Sequence, residues 1–201
     1  MRREVLSEMI GTFVMVFVGC YSIKQGFSTI KVSLSFGIAV FSVILLSRKY
    51  SGAHINPAVS IAFCITGELD KKLVIPYVFA QILGATLAAL LVGNYGATQF
   101  SVNMGLGIGI EILITFLLML SIYVVISKTD NDIIVATVVG ITVAALAFVF
   151  GDFTGASMNP ARTFGPNLIS GMNHLIPIYM ISTIVGAIIA SAYKNLRMSD
   201  K

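Results

Sequence analysis

The chain has 201 residues with a mean hydropathy of +0.93; 57% of them are hydrophobic and only 11% are charged. Soluble domains carry about a quarter charged residues, and 13 basic and 9 acidic side chains are too few to cover the surface of a soluble domain this size. This excludes a cytosolic enzyme, a disordered chain and a nucleic-acid binder. The basic residues behind the net charge of +4 are scattered singly and in pairs, as in the flanks of membrane spans.

Arg2 and Arg3 precede the first apolar stretch, 5–24, and no small-x-small cleavage site follows before Gln25, so the stretch reads as a span and not a removed leader. A second span is expected over 32–47, a third over 73–92, a fourth over 106–127, a fifth over 133–150 and a sixth over 175–193. With a polar turn at the ends of the shorter ones, each nears the roughly 20 residues that cross the hydrocarbon core. In lipid the backbone must satisfy its own hydrogen bonds, so all six should be helices. Two apolar pieces remain, 53–66 and 156–170, each too short to span and each carrying Asn-Pro in its first half. Cys20 and Cys64 lie in apolar runs and form no disulfide framework; they read as packing residues.

An even number of spans puts both chain ends, the 48–72 connection and the 128–132 turn on one side. That side holds Arg2, Arg3, Arg48, Lys49, Lys71, Lys72, Lys128, Lys194, Arg197 and Lys201, ten of the 13 basic residues. Lys24 and Lys31 fall on the other. The bias makes both termini cytoplasmic, in an inner or plasma membrane. Arg162, inside the second short piece, fits neither group.

The short pieces are copies. Asn56-Pro57-Ala58 recurs as Asn159-Pro160-Ala161 at an offset of 103, and the same offset relates Gly52-Ala53 to Gly155-Ala156, Glu8 to Glu111, and Thr12-Phe13 to Thr115-Phe116. The halves run approximately 1–100 and 104–201. Three spans per half force the second copy to enter from the opposite side, giving an inverted repeat within one transmembrane domain, 1–201. Asn before Pro marks a helix start, because Asn caps exposed donors and Pro loses an N–H that had no partner. Residues 57–66 and 160–170 are therefore expected as half-helices meeting head to head at mid-membrane. The segments 51–55 and 154–158 before them would be non-helical backbone lining a cavity. Two positive helix ends there repel cations, while the Asn56 and Asn159 amides can donate to a passing oxygen.

These residues, Ser51-Gly52-Ala53-His54-Ile55-Asn56-Pro57-Ala58-Val59 and Thr154-Gly155-Ala156-Ser157-Met158-Asn159-Pro160-Ala161-Arg162-Thr163-Phe164-Gly165-Pro166, carry a resemblance. The chain resembles the aquaporin and glycerol-facilitator family, the major intrinsic proteins, over essentially its whole length. The resemblance implies an all-α membrane protein of six transmembrane helices plus two re-entrant half-helices, assembled as a homotetramer with one pore per subunit. It also implies a selectivity filter of Phe36, Ala147, Ala156 and Arg162. A buried Arg is costly unless it faces a cavity or carbonyls, and the repeat mate of Arg162 is Val59. Strict water channels usually have His where this chain has Ala147, which suggests a wider, less polar ring. Other markers disagree: Thr163 stands where facilitators have Asp, Asn167 where they have a basic residue, and Tyr179 resembles an aromatic of water channels but is followed by Met180 in place of their Trp.

Glu8 and Glu111, at matched depths inside apolar helices, need partners; the backbone N–H groups of the loops before the half-helices are the expected ones. His54 is expected either to line the cytoplasmic half of the pore or to be a satisfied loop histidine, and Asp152 to anchor the 151–156 turn. Gly11, Gly37, Gly84, Gly109, Gly140 and Gly186 fall where helices are expected to cross. The function expected is a passive channel for water and small neutral solutes such as glycerol, with the lipid bilayer and these solutes as partners. The alternatives are strict water selectivity, passage of ammonia or metalloid acids, and a non-conducting structural protein of the same fold. A coupled transporter would need a carboxylate beside Asn56 or Asn159, and there is none. No catalytic residue, metal ligand set or cofactor site is expected.

Overall fold

Hydrocarbon offers no partner to a backbone N–H or C=O, and this chain answers with helices alone. The computed structural model describes residues 2–197, and among these there is no strand. The elements are α1 (Arg2–Lys24), α2 (Thr29–Ser51), α3 (Pro57–Ile65), α4 (Lys71–Val92), α5 (Met104–Ile126), α6 (Asp132–Thr154), α7 (Pro160–Ile169) and α8 (Ile176–Arg197), with one 3₁₀ turn, Asn173–Leu175, before α8. Six of them are long and apolar enough to cross a bilayer. The two short ones begin at Pro57 and Pro160, as the Asn-Pro pairs require.

α2 and α6 each run about one turn past the expected spans, to Ser51 and Thr154. For α2 the reason is that Arg48 and Lys49, polar enough to suggest a loop, sit in its last turn, where cations suit the negative end of the dipole. Both helices stop at a glycine: Gly52 at φ 82° and Gly155 at φ 75° take the left-handed turn that other residues resist, and their N–H groups close on the carbonyls of Arg48 and Gly151.

The packing repeats itself about a two-fold relation. α1 lies along α4 as α5 lies along α8, α1 meets α2 as α5 meets α6, and α4 holds α7 as α8 holds α3. The α2–α6 contact relates the halves to each other. There a Cβ on Gly37 would fall 2.6 Å from the Gly140 carbonyl oxygen, and one on Gly140 would fall 2.8 Å from that of Gly37. Gly84 likewise abuts the Met9 carbonyl of α1, and Gly186 the matching Ile112 carbonyl of α5. Lipid removes the hydrophobic drive between helices, so close backbone approach supplies the packing. Gly109 does not take part: it is exposed, with nothing within 4 Å of where its Cβ would stand. Gly165, which the sequence reading passed over, does, with the Ala85–Thr86 backbone against it.

Gly37→Val should cost about 2 kcal/mol or more, because the obstacle is backbone that cannot yield. Gly109→Ala should be neutral or gain up to about 1 kcal/mol of helix propensity. Thermal unfolding of both variants in detergent micelles checks this, and equal midpoints would contradict the packing.

Candidate functional site

The two half-helices are tied to each other at their starts. Asn56 caps α3 by accepting from the Ala58 N–H at 2.9 Å, and its Nδ2 donates to the Met158 carbonyl at 2.8 Å. Asn159 caps α7 by accepting from Ala161 (2.9 Å) and Arg162 (3.3 Å), and its Nδ2 donates to the Ile55 carbonyl at 2.8 Å. Each carboxamide thus puts its oxygen on its own helix and one hydrogen on the other half. An amide nitrogen carries two hydrogens; the second of Asn56 has no acceptor among the described residues, and that of Asn159 meets only the weak acceptor Met15 Sδ, at 3.9 Å. The sequence reading has each asparagine cap its helix and give its amide donors to a passing solute; the caps are present, and one donor of each instead closes the joint. Pro57-Ala58 and Pro160-Ala161 are buried first-turn residues behind the caps.

The loops feeding these caps are strained. Ala53 (φ 52°), Ile55 (φ 45°), Ala156 (φ 42°) and Met158 (φ 52°) all lie in the left-handed region, in matched pairs about His54 and Ser157. Each such residue costs on the order of 1–3 kcal/mol and persists only where its surroundings fix it. Two buried carboxylates do so. Glu8 accepts from the His54 and Ile55 N–H groups at 2.9 and 2.6 Å, from Ser51 Oγ at 2.6 Å and from Gln81 Nε2 at 2.7 Å. Glu111 accepts from the Ser157 and Met158 N–H groups at 2.9 and 3.0 Å and from Thr154 Oγ1 at 2.7 Å. With N–H groups turned outward to the carboxylates, the carbonyls of Gly52, Ala53, His54, Gly155, Ala156 and Ser157 have no hydrogen-bond donor among the described residues. All six residues line one cavity. Unpaired carbonyls must be served by water or solute.

That cavity, about 470 Å³, runs past Asn56, Asn159 and Arg162. It is lined by α2 from Thr29 to Arg48, a rise of about 28 Å at 1.5 Å per residue, close to the thickness of the hydrocarbon core. Arg48 and Glu68 stand at the end toward the chain termini, Thr29 and Asp152 at the other. Asp152 is therefore a mouth residue within α6, 3.4 Å from Thr29 Oγ1, and not the anchor of the turn; Thr154 and Glu111 anchor it.

Phe36, Ala147, Ala156 and Arg162 line the same cavity. The Arg162 guanidinium lies 5.0 Å from the Phe36 ring centroid and donates to the Gly96 carbonyl at 2.5 Å. No carboxylate is within ion-pair distance of it among the described residues, and it lines the lumen, with Glu111 as a more distant opposite charge. His54 lines the cavity and is also satisfied, with Nδ1 3.0 Å from Ser60 Oγ and its ring stacked on Phe63. Tyr179 does not line it. It is fully buried and donates to the Thr154 carbonyl, as its repeat mate Tyr77 donates to Ser51.

Several supporting residues escaped the sequence reading. Tyr77 and Ser60 could have been found as mates of Tyr179 and Thr163; Gly96 and Thr98, in a loop with no counterpart, could not. Thr163 bonds Ser157 and Thr98 Oγ1 behind the wall, at 2.6 and 2.9 Å. Its identity therefore reports on wall support and not on contact with solute.

Paired short helices facing each other across a cavity that is lined from one end of α2 to near the other are the architecture of a transmembrane channel. The family model described as major intrinsic protein matches residues 1–194. Aquaporin NIP1-1 of Zea mays is 35% identical over 99% of this chain and 76% of its own length. The probable aquaporin AqpM of Archaeoglobus fulgidus is 34% identical over 96% of both chains. The X-ray structure of the aquaglyceroporin from Plasmodium falciparum superposes with a TM-score of 0.90 at 27% identity, covering 98% of this chain and 96% of that one. The chain belongs to the major intrinsic protein family: it is a multi-pass membrane channel and not an enzyme.

Replacing Glu8 or Glu111 by Gln turns an amide NH₂ toward a backbone N–H and leaves that donor unpaired, which costs about 1–3 kcal/mol. Each variant should unfold at a lower temperature in detergent than the parent, and the double variant lower still. Unchanged midpoints would mean the carboxylates do not hold the strained loops.

Proposed function

We propose that the chain is a passive pore for water and small neutral solutes such as glycerol, with Phe36, Ala147, Ala156 and Arg162 as its selectivity filter. The observation that carries this is the pairing of a lumen-facing guanidinium with alanines at two of the other three positions. Arg162 offers donors to a hydroxyl or water oxygen and opposes cations, Phe36 gives an apolar wall for a carbon backbone, and Ala147 and Ala156 leave width. Solute moves in single file: its oxygens take the second amide hydrogens of Asn56 and of Asn159, the latter in place of the weak contact to Met15 Sδ, and its hydroxyl hydrogens take the unpaired carbonyls of the two loops. An oxygen that accepts at the paired asparagines turns its hydrogens outward, and the two helix N-termini oppose a proton, so the file does not relay charge. The likeness to a protein described as an aquaglyceroporin supports solutes larger than water.

We infer further that the channel is one domain over 1–201, built of inverted halves 1–100 and 104–201. It would form a homotetramer in an inner or plasma membrane with both termini cytoplasmic. The weight of basic residues on the side of the chain ends supports that orientation.

Water efflux and glycerol uptake measured on the same proteoliposomes test the reading. Both should exceed those of empty vesicles. Ala147→His should raise the glycerol barrier by about 1.4 kcal/mol, about a tenfold loss, and slow water far less. Equal loss of both would overturn the filter assignment, and water flux without glycerol flux in the parent would mean strict water selectivity. Cys20 is buried behind Gly96 and neither cysteine lines the lumen, so mercuric chloride should leave most of the water flux intact.

A further inference from the structure

The filter ring has a fifth side. Ala97 lines the cavity between the Gly96 carbonyl that holds Arg162 and Thr98, so the loop between α4 and α5 is part of the constriction wall. That loop is anchored by a buried side chain that no channel role has yet used. Asn167, on α7, accepts from the Thr98 N–H at 2.8 Å and donates to the Thr98 carbonyl at 2.9 Å. This two-point pairing of a carboxamide with one residue's backbone copies a sheet ladder. Thr98 Oγ1 adds a bond of 3.3 Å to Asn167 Oδ1 and reaches Thr163 Oγ1. Asn167, Thr98 and Thr163 are all fully buried, where unmade hydrogen bonds are costly and made ones rigid. Among the described residues the opposite half shows no such clamp: the repeat mate of Asn167 is Cys64, and that of Arg162 is Val59, which needs no carbonyl to hold it.

We propose that Asn167 is a positioning residue for solute discrimination. By fixing both backbone groups of Thr98 it fixes the Gly96 carbonyl two residues away, and through it the stance of the Arg162 guanidinium beside Phe36. Only an amide serves this purpose, since the site needs an acceptor and a donor side by side. A basic residue there would supply no acceptor. The inference rests on the reading of Arg162 as a filter residue.

The test compares erythritol and water permeability of proteoliposomes carrying the parent, Asn167→Leu, Arg162→Val and the double variant. Asn167→Leu keeps the volume and loses every bond. A loosened loop lets the guanidinium wander from the constriction, so the erythritol-to-water ratio should rise roughly threefold or more. In the Arg162→Val background the same change should add nothing. Asn167→Asp keeps the acceptor and loses only the donor; it should shift the ratio in the same direction by less, and it carries the test if the Leu variant does not reach the vesicles. An unchanged ratio in the Asn167 variants, or the same rise with and without Arg162, would overturn the proposal. An Arg162→Val channel as selective as the parent would instead overturn the filter reading beneath it.

Discussion

Two helix N-termini meet beside the middle of α1, inside a bundle of membrane-length helices, each bearing the positive end of a dipole, and the rest of the site follows from holding them there. The asparagine side chains make the meeting tolerable. Each lays its oxygen against the donors of its own half-helix and gives a hydrogen to the carbonyl preceding the other asparagine, so the ends are bridged by oriented amides and do not stand bare. The strained turns that deliver those carbonyls are fixed in place by Glu8 and Glu111, whose buried charge is in turn spread over three or four donors. The arrangement stabilises itself as a closed circuit, and its by-product is a file of backbone oxygens facing the lumen.

Most of this circuit was legible before any coordinates. Asn-Pro fixes a helix start whatever surrounds it, and an offset shared by Glu8, Thr12, Gly52 and Asn56 with their partners fixes which pieces belong together. The half-helices follow from residues with one physical use, and Gly37 and Gly140 mark crossings without saying that α2 and α6 cross each other. Gly109 shows the limit: a glycine in a span is evidence of close approach only where a neighbour stands opposite, and nothing in the sequence says which face is turned inward. Tyr179 shows another. Its place in the sequence allows either a pore-lining or a supporting role; its hydroxyl serves a carbonyl at the end of α6 and the ring is fully buried, which is support. The loop carrying Gly96, Ala97 and Thr98 was illegible, because it has no repeat mate and its contacts are made through backbone atoms that any residue possesses.

The halves agree in architecture and differ in chemistry. Where the first has His54, Ser60 and Val59, the second has Ser157, Thr163 and Arg162. His54 turns to Ser60 and, through it, to Gln81, which reaches back to Glu8. On the other side Ser157 turns to Thr163, and the chain of hydroxyls continues outward to the loop that steadies Arg162. Matched positions thus present His54 and Val59 to the cavity from one half and Ser157 and Arg162 from the other. The same divergence explains why motif residues such as Thr163 give mixed signals about solute: they sit behind the wall and answer to its supports.

The most direct measurement is water and proton flux through the same proteoliposomes, with the pH gradient followed by an entrapped dye while the osmotic response is recorded by light scattering. A channel built on opposed helix ends should shrink vesicles far faster than lipid alone while the pH gradient decays no faster than in empty vesicles. Rapid decay of the gradient, or osmotic shrinkage at the lipid rate, would contradict it.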